Sequence, residues 1–163
     1  MMFGFSALYH RVNWKPKVLG LMRRLDHSSI FMMIAGTFTP ICLLVLPMAT
    51  GKNLLMIIWI IAGLGILQSI IFTNMPRLLR ASFYLGAGYL AIPYMSVMAS
   101  FMGYTNFALT VAGGTIYSVG AISYGFKFPD ISPKYFGFHE FFHLLVCIAA
   151  ILHFIVIYSI VGS

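Results

Sequence analysis

Charge is what this sequence has least of. Only 8% of its 163 residues are charged, and just three are acidic: Asp26, Asp130 and Glu140. A soluble domain carries about 25% charged residues. A water-facing surface cannot be built at a third of that density, so a soluble domain is excluded. Cysteine is also scarce. Cys42 and Cys147 both fall inside apolar runs and read as small buried hydrophobes, not as a disulfide or ligand pair. No soluble domain, low-complexity linker or convincing internal repeat fits between the apolar runs. No basic stretch precedes the first apolar residues, so nothing resembles a cleavable signal peptide.

What fills the chain is hydrocarbon. Hydrophobic residues make up 61% of it, and the mean hydropathy is +0.95. This is the composition of an integral membrane protein. A helix needs roughly 20 apolar residues to cross a bilayer. Five segments meet that length, at about 29–48, 54–73, 81–101, 105–126 and 138–161. The expected fold is an all-α polytopic membrane helix bundle, with residues 1–163 as one transmembrane domain.

The net charge of +7 reflects scarce acids, not dense bases, and its placement speaks of topology, not of nucleic acid. Residues 11–26 hold Arg11, Lys15, Lys17, Arg23 and Arg24; 49–53 hold only Lys52; 74–80 hold Arg77 and Arg80; 127–137 hold Lys127 and Lys134. Alternate connections thus carry nine bases on one side and one on the other. The positive-inside rule puts the basic connections in the cytoplasm. The C-terminus is then expected outside, in a multi-pass protein of the cell membrane.

The first apolar stretch, "MMFGFSALYH", is short. Ten helical residues cover about 15 Å, half of a hydrocarbon core of roughly 30 Å. A helix ending at the cytoplasmic face after His10 leaves a charged amine near the bilayer centre, which is costly. The expectation is a helix with more sequence upstream; the alternative is a short interfacial helix.

Against this apolar background the polar groups stand out. His139 and His143 form the H-E-x-x-H of "FHEFFH" and open the last span. Two histidines at i and i+4 share one helical face and can hold one metal, with a third ligand from elsewhere. His10 ends the first helix, and Asp26 and His27 begin the next, all at the same membrane depth. Ser6 lies one turn from His10. His10, His139 and His143 are therefore candidate zinc ligands, leaving a fourth position for water. Asp26 is the candidate base or orienter for that water. Ser6 is the candidate donor to a substrate oxygen, or holds the water itself.

Plainer readings exist for each residue. The histidine pair could touch lipid headgroups; Asp26 could cap a helix that starts at Ser28; Ser6 could be a packing serine. His27 is turned about 100° from Asp26, and lies behind the ligands or at the interface. His153 sits ten residues past His143, about 15 Å deeper, and reads as a packed or hydrogen-bonding histidine. Gly113, Gly114, Ser118 and Ser123 read as close helix packing.

A protease reading of the motif fails on its third ligand. The metzincin position is Ala149, and no acid follows Glu140. Asp26, the one acid at an intramembrane edge, precedes the motif by over a hundred residues. Glu140 reads instead as a carboxylate complementing a helix N-terminus.

The ordered pieces "SALYH", "RLDHSSIFMMIAGTFTP", "GGTIYSVGAISY" and "FHEFFHLLVCIAAILHF" resemble the hemolysin III family. That is the bacterial branch of the progestin and adipoQ receptor (PAQR) family, within a wider group that includes alkaline ceramidases. The resemblance implies a seven-helix bundle with zinc near the cytoplasmic face, and here helix one and part of helix two are not matched. It implies His10, His139 and His143 as zinc ligands, with Asp26 and Ser6 contacting the zinc-bound water. The function expected is a zinc-dependent intramembrane hydrolase acting on membrane lipid, with an amide such as ceramide as one substrate class. The alternatives are a receptor-like sensor with structural zinc, and a pore-forming cytolysin.

Overall fold

A computed structural model describes residues 2–132 and 136–162. Lys134, used above to orient the chain, lies outside the described residues. Helix α1 spans Met2–Arg11, α2 Pro16–Pro40, α3 Met48–Ile71, α4 Arg77–Tyr89, α5 Met95–Phe101, α6 Tyr104–Phe126 and α7 Phe138–Val161. Four of these stretches are long and apolar enough to cross a membrane: Pro16–Val45, Met48–Ile71, Tyr104–Phe126 and Phe138–Val161. The chain is a multi-pass helical membrane bundle. Large side chains such as Met56, Ile60, Leu64, Ile151 and Phe154 lie exposed along α3 and α7, tolerable only where the surrounding solvent is lipid.

Three helix boundaries differ from those expected. First, α2 begins at Pro16, not near residue 29. Proline at the first helical position has its φ preset and loses no hydrogen bond there. The basic run therefore forms the first turns of the long helix, and Asp26 lies well inside it. Its reading as an N-cap is thereby removed. Second, α2 does not continue regularly to residue 48. Pro40 has no N–H to offer, and the chain widens into a π-helical turn at Ile41–Val45 before α3 starts at Met48. Third, the segment expected at 81–101 is broken. Helix α4 ends at Tyr89, a 3₁₀ turn occupies Ile92–Tyr94, and α5 follows. Pro93 explains the break, because it has no N–H to bond the Tyr89 carbonyl and continue the α-helical ladder.

Helix packing is governed by small residues. Gly51 faces the carbonyl of Cys42, and Gly65 faces the Phe31 ring; a Cβ at either would overlap its neighbour. These glycines let α3 lie close on α2, its main partner. Helix α6 packs mainly on α7 and then on α4, while α1 packs on α2. Gly113 meets the His153 ring in the same way, but Gly114 has nothing within 4 Å and faces open space. The packing role expected of Gly114 is thus corrected. Cys42 is buried as expected, whereas Cys147 is exposed on the outer face of α7.

The end of α1 and the beginnings of α2, α4 and α7 gather at one end of the bundle, here the basic end. Arg11, Lys15, Lys17, Arg23, Arg24, Arg77, Arg80 and Lys127 lie there, while Lys52 belongs to the first turns of α3. Arg80 shows how the end is tied. It is 4% exposed, and its guanidinium donates to the carbonyls of Thr73 and Met75 at 3.1 and 3.2 Å, pinning the α3–α4 connection.

Candidate metal centre

Three helices deliver the polar groups. The last turn of α1 carries His10, and the first turns of α7 carry His139 and His143. Helix α7 starts where it does because the Glu140 carboxylate accepts the Gly137 N–H at 3.0 Å. This ties down an otherwise unsatisfied amide one residue before the start of the last span. The carboxylate of H-E-x-x-H is therefore spent on the backbone, and Glu140 is exposed at the bundle's end. Its reading as a helix-start carboxylate fits this geometry; a protease base does not.

His139 Nε2 lies 3.3 Å from His10 Nε2 and 3.1 Å from His143 Nε2. One ligand nitrogen from each ring lies within 4.8 Å of both others. An imidazole nitrogen has one in-plane site, either a proton or a lone pair. His139 Nε2 cannot serve two such neighbours well by hydrogen bonding. A shared cation resolves the conflict. Zinc–nitrogen bonds of about 2.0–2.1 Å at tetrahedral angles give nitrogen separations of roughly 3.3–3.4 Å. The two short contacts come close to that spacing, so the three residues offer a ligand set that could hold a tetrahedral metal with one position left open.

Asp26 and Ser6 are both buried, each with 8% relative exposure. The Ser6 hydroxyl lies near the Asp26 carboxylate. Asp26 Oδ2 stands 4.0 Å from His10 Nε2. That is too far for a direct hydrogen bond.

His27 is buried beside Asp26 and bonds Arg80 Nη1 at 3.0 Å. Arginine can only donate, so His27 Nε2 accepts and its ring proton sits on Nδ1. His27 thus stands behind the histidine cluster, held by α4. Sequence reasoning treated Arg80 only as a topological charge. Its place at the head of an apolar span was the available signal, since such residues usually line an interior. Tyr124 and Phe142 were also missed; both rings pack against His139. His153 lies apart from the cluster, as expected. Its ring is buried beside Tyr117, with Nε2 3.1 Å from the Thr110 carbonyl.

The cluster forms one end of a cavity of about 750 Å³. Ser6, His10, Asp26, His139 and His143 line that end, and Ile34, Met98 and His153 line its deeper part. Ligand cavities run from roughly 300 to 1,000 Å³, so this one can hold an amphiphile.

Comparison with known proteins identifies the family of the chain. The family model "Haemolysin-III related" matches residues 1–154. Hemolysin-3 of Bacillus cereus is 40% identical over 124 residues, covering 75% of this chain and 55% of the relative. The Hemolysin-3 homolog of Bacillus subtilis (strain 168) is 37% identical over 122 residues, covering 75% and 57%. The human Monocyte to macrophage differentiation factor is 26% identical over 162 residues, covering 97% and 65%. The chain thus spans little more than half the length of these bacterial relatives. No solved structure matches. On the match across nearly its whole length, the chain belongs to the haemolysin-III-related family of membrane proteins.

Proposed function

We propose that the protein is a zinc-dependent hydrolase of membrane lipid, acting on an acyl bond such as a lipid amide. The observation that carries this reading is the convergence of three histidines and a buried carboxylate at one end of an apolar cavity. His10, His139 and His143 hold the metal as neutral imidazoles. Bound there, zinc supplies a Lewis acid that lowers the pKa of water to roughly 7. Asp26 takes a proton from the attacking water at Oδ2 and returns it to the leaving amine. Ser6, beside the Asp26 carboxylate, helps to orient it. The cavity walls hold the acyl chain and exclude bulk water from the reacting bond. Hydrolysis of an amide by this route yields a carboxylic acid and an amine. By the positive-inside rule the basic end lies in the cytoplasm of a cell membrane, with the C-terminus outside.

The test is hydrolysis of a broad lipid panel by purified full-length protein and by Asp26→Ala. Turnover by the first, and its loss in the second with zinc retained, supports the reading. If both are inert while zinc stays bound, catalysis is the wrong idea. A second reading then gains: His10 sits where α1 meets α7, so zinc would act as a structural clamp in a receptor-like protein.

A further inference from the structure

The cavity mouth carries more positive charge than the fold accounts for. Arg23, Arg77 and Arg80 all line the cavity, against one carboxylate, Asp26. Arg80 has a structural task, holding His27 and the α3–α4 connection. Arg23 and Arg77 do not. Arg23 reaches only the amide oxygen of Asn74, at a long 3.4 Å. Arg77 lies over the Phe138 ring, 5.3 Å from its centroid. Among the described residues, no lysine or arginine lies within 4.0 Å of a carboxylate; the one such contact involves His10. The two guanidiniums come from different helices, α2 and α4, and line the same cavity as the histidine cluster.

We propose that Arg23 and Arg77 form an anion-binding rim that takes the phosphate of a lipid headgroup while the acyl part lies in the cavity. Guanidinium groups match phosphate oxygens with several short, charge-assisted bonds. Two of them, from different helices, suit a group with acceptor oxygens on several sides. A carboxylate released by hydrolysis forms at the metal centre instead, so the rim faces the headgroup. This assignment rests on the hydrolase reading for its chemistry: the favoured substrate is an acylated lipid with phosphate close to its scissile bond.

The experiment is binding, not turnover. Full-length protein in neutral nanodiscs is titrated with phosphatidic acid, with diacylglycerol and with inorganic phosphate. Phosphatidic acid is expected to bind far more tightly than either alternative. Affinity is expected to fall roughly tenfold for each of Arg23→Gln and Arg77→Gln, the size of a charge-assisted hydrogen bond. The pair Lys15→Gln/Lys17→Gln removes equal charge from the same end but outside the cavity, and is expected to change affinity less than about twofold by the same reasoning. Zinc content per chain checks that each variant is folded. A loss for the lysine pair as large as that for the arginine variants reduces the effect to surface charge and overturns the proposal. So does equal binding of diacylglycerol, while inorganic phosphate binding as tightly as phosphatidic acid assigns the rim to a soluble anion. Tight phosphatidic acid binding with no lipid cleaved leaves the rim standing and removes the hydrolase. Cleavage of uncharged lipids, with no preference for phosphatidic acid in binding, does the reverse.

Discussion

Removing His143 tests the metal centre most directly. Its Nε2 is one of three nitrogens, and His139 Nε2 lies 3.1 Å away. His143→Ala leaves two candidate ligands on two helices. Loss of even an outer partner of a metal ligand typically costs 10- to 100-fold in affinity, so deleting a ligand should cost at least about 100-fold, or roughly 2.7 kcal/mol. Stability follows by linkage. Zinc present at a thousand times its Kd stabilises the folded state by about 4.1 kcal/mol. For a chain of this size, about 2–4 °C of Tm accompanies each kcal/mol, so a chelator should lower the wild-type Tm by roughly 8–16 °C. His143→Ala should start low and barely respond to chelator. His153→Ala should keep the response, because that ring bonds the Thr110 carbonyl and not the cluster. The assay is zinc content per purified chain, beside thermal melts in one detergent with and without chelator. Unchanged zinc in His143→Ala, or its loss in His153→Ala, would refute the ligand assignment.

Two further substitutions probe the surroundings. Glu140→Ala should cost about 1 kcal/mol, as for loss of a helix cap, and should retain zinc and lipid turnover; a drop in kcat of several orders of magnitude would restore Glu140 as a base. Gly113→Leu drives a side chain into the His153 ring and should destabilise by about 1–3 kcal/mol, the usual cost of overpacking; a melt unchanged within error would show that α6 and α7 are not held this closely.

The resemblance stated from sequence and the match across residues 1–154 agree on the family. How the site is assembled needs the structure. The i, i+4 spacing puts His139 and His143 on one helix face whatever surrounds them, because 3.6 residues per turn is a local property. Asp26 was different. The sequence around it offers a cap as readily as an interior carboxylate, and only the start of α2 at Pro16 decides between them. Arg80 carried the same ambiguity, since a cation at a span boundary satisfies a topology rule whether it faces lipid headgroups or the interior. Its contacts with His27, Thr73 and Met75 depend on where α4 lies against α2.

The sequence by itself therefore determined the solvent, the number of long apolar segments to within one, and the distribution of positive charge. Scarcity of charge and the length of a membrane-crossing helix are conditions every alternative fold would share. The break between α4 and α5 escaped it, because an apolar run has the same hydropathy whether or not its backbone is continuous. Tertiary structure alone decided that His10 and His139, 129 positions apart, place their nitrogens 3.3 Å from each other. It also decided that the H-E-x-x-H carboxylate caps its own helix while the carboxylate nearest the histidines comes from α2. Contacts of that sequence separation follow from helix packing, which no local pattern encodes.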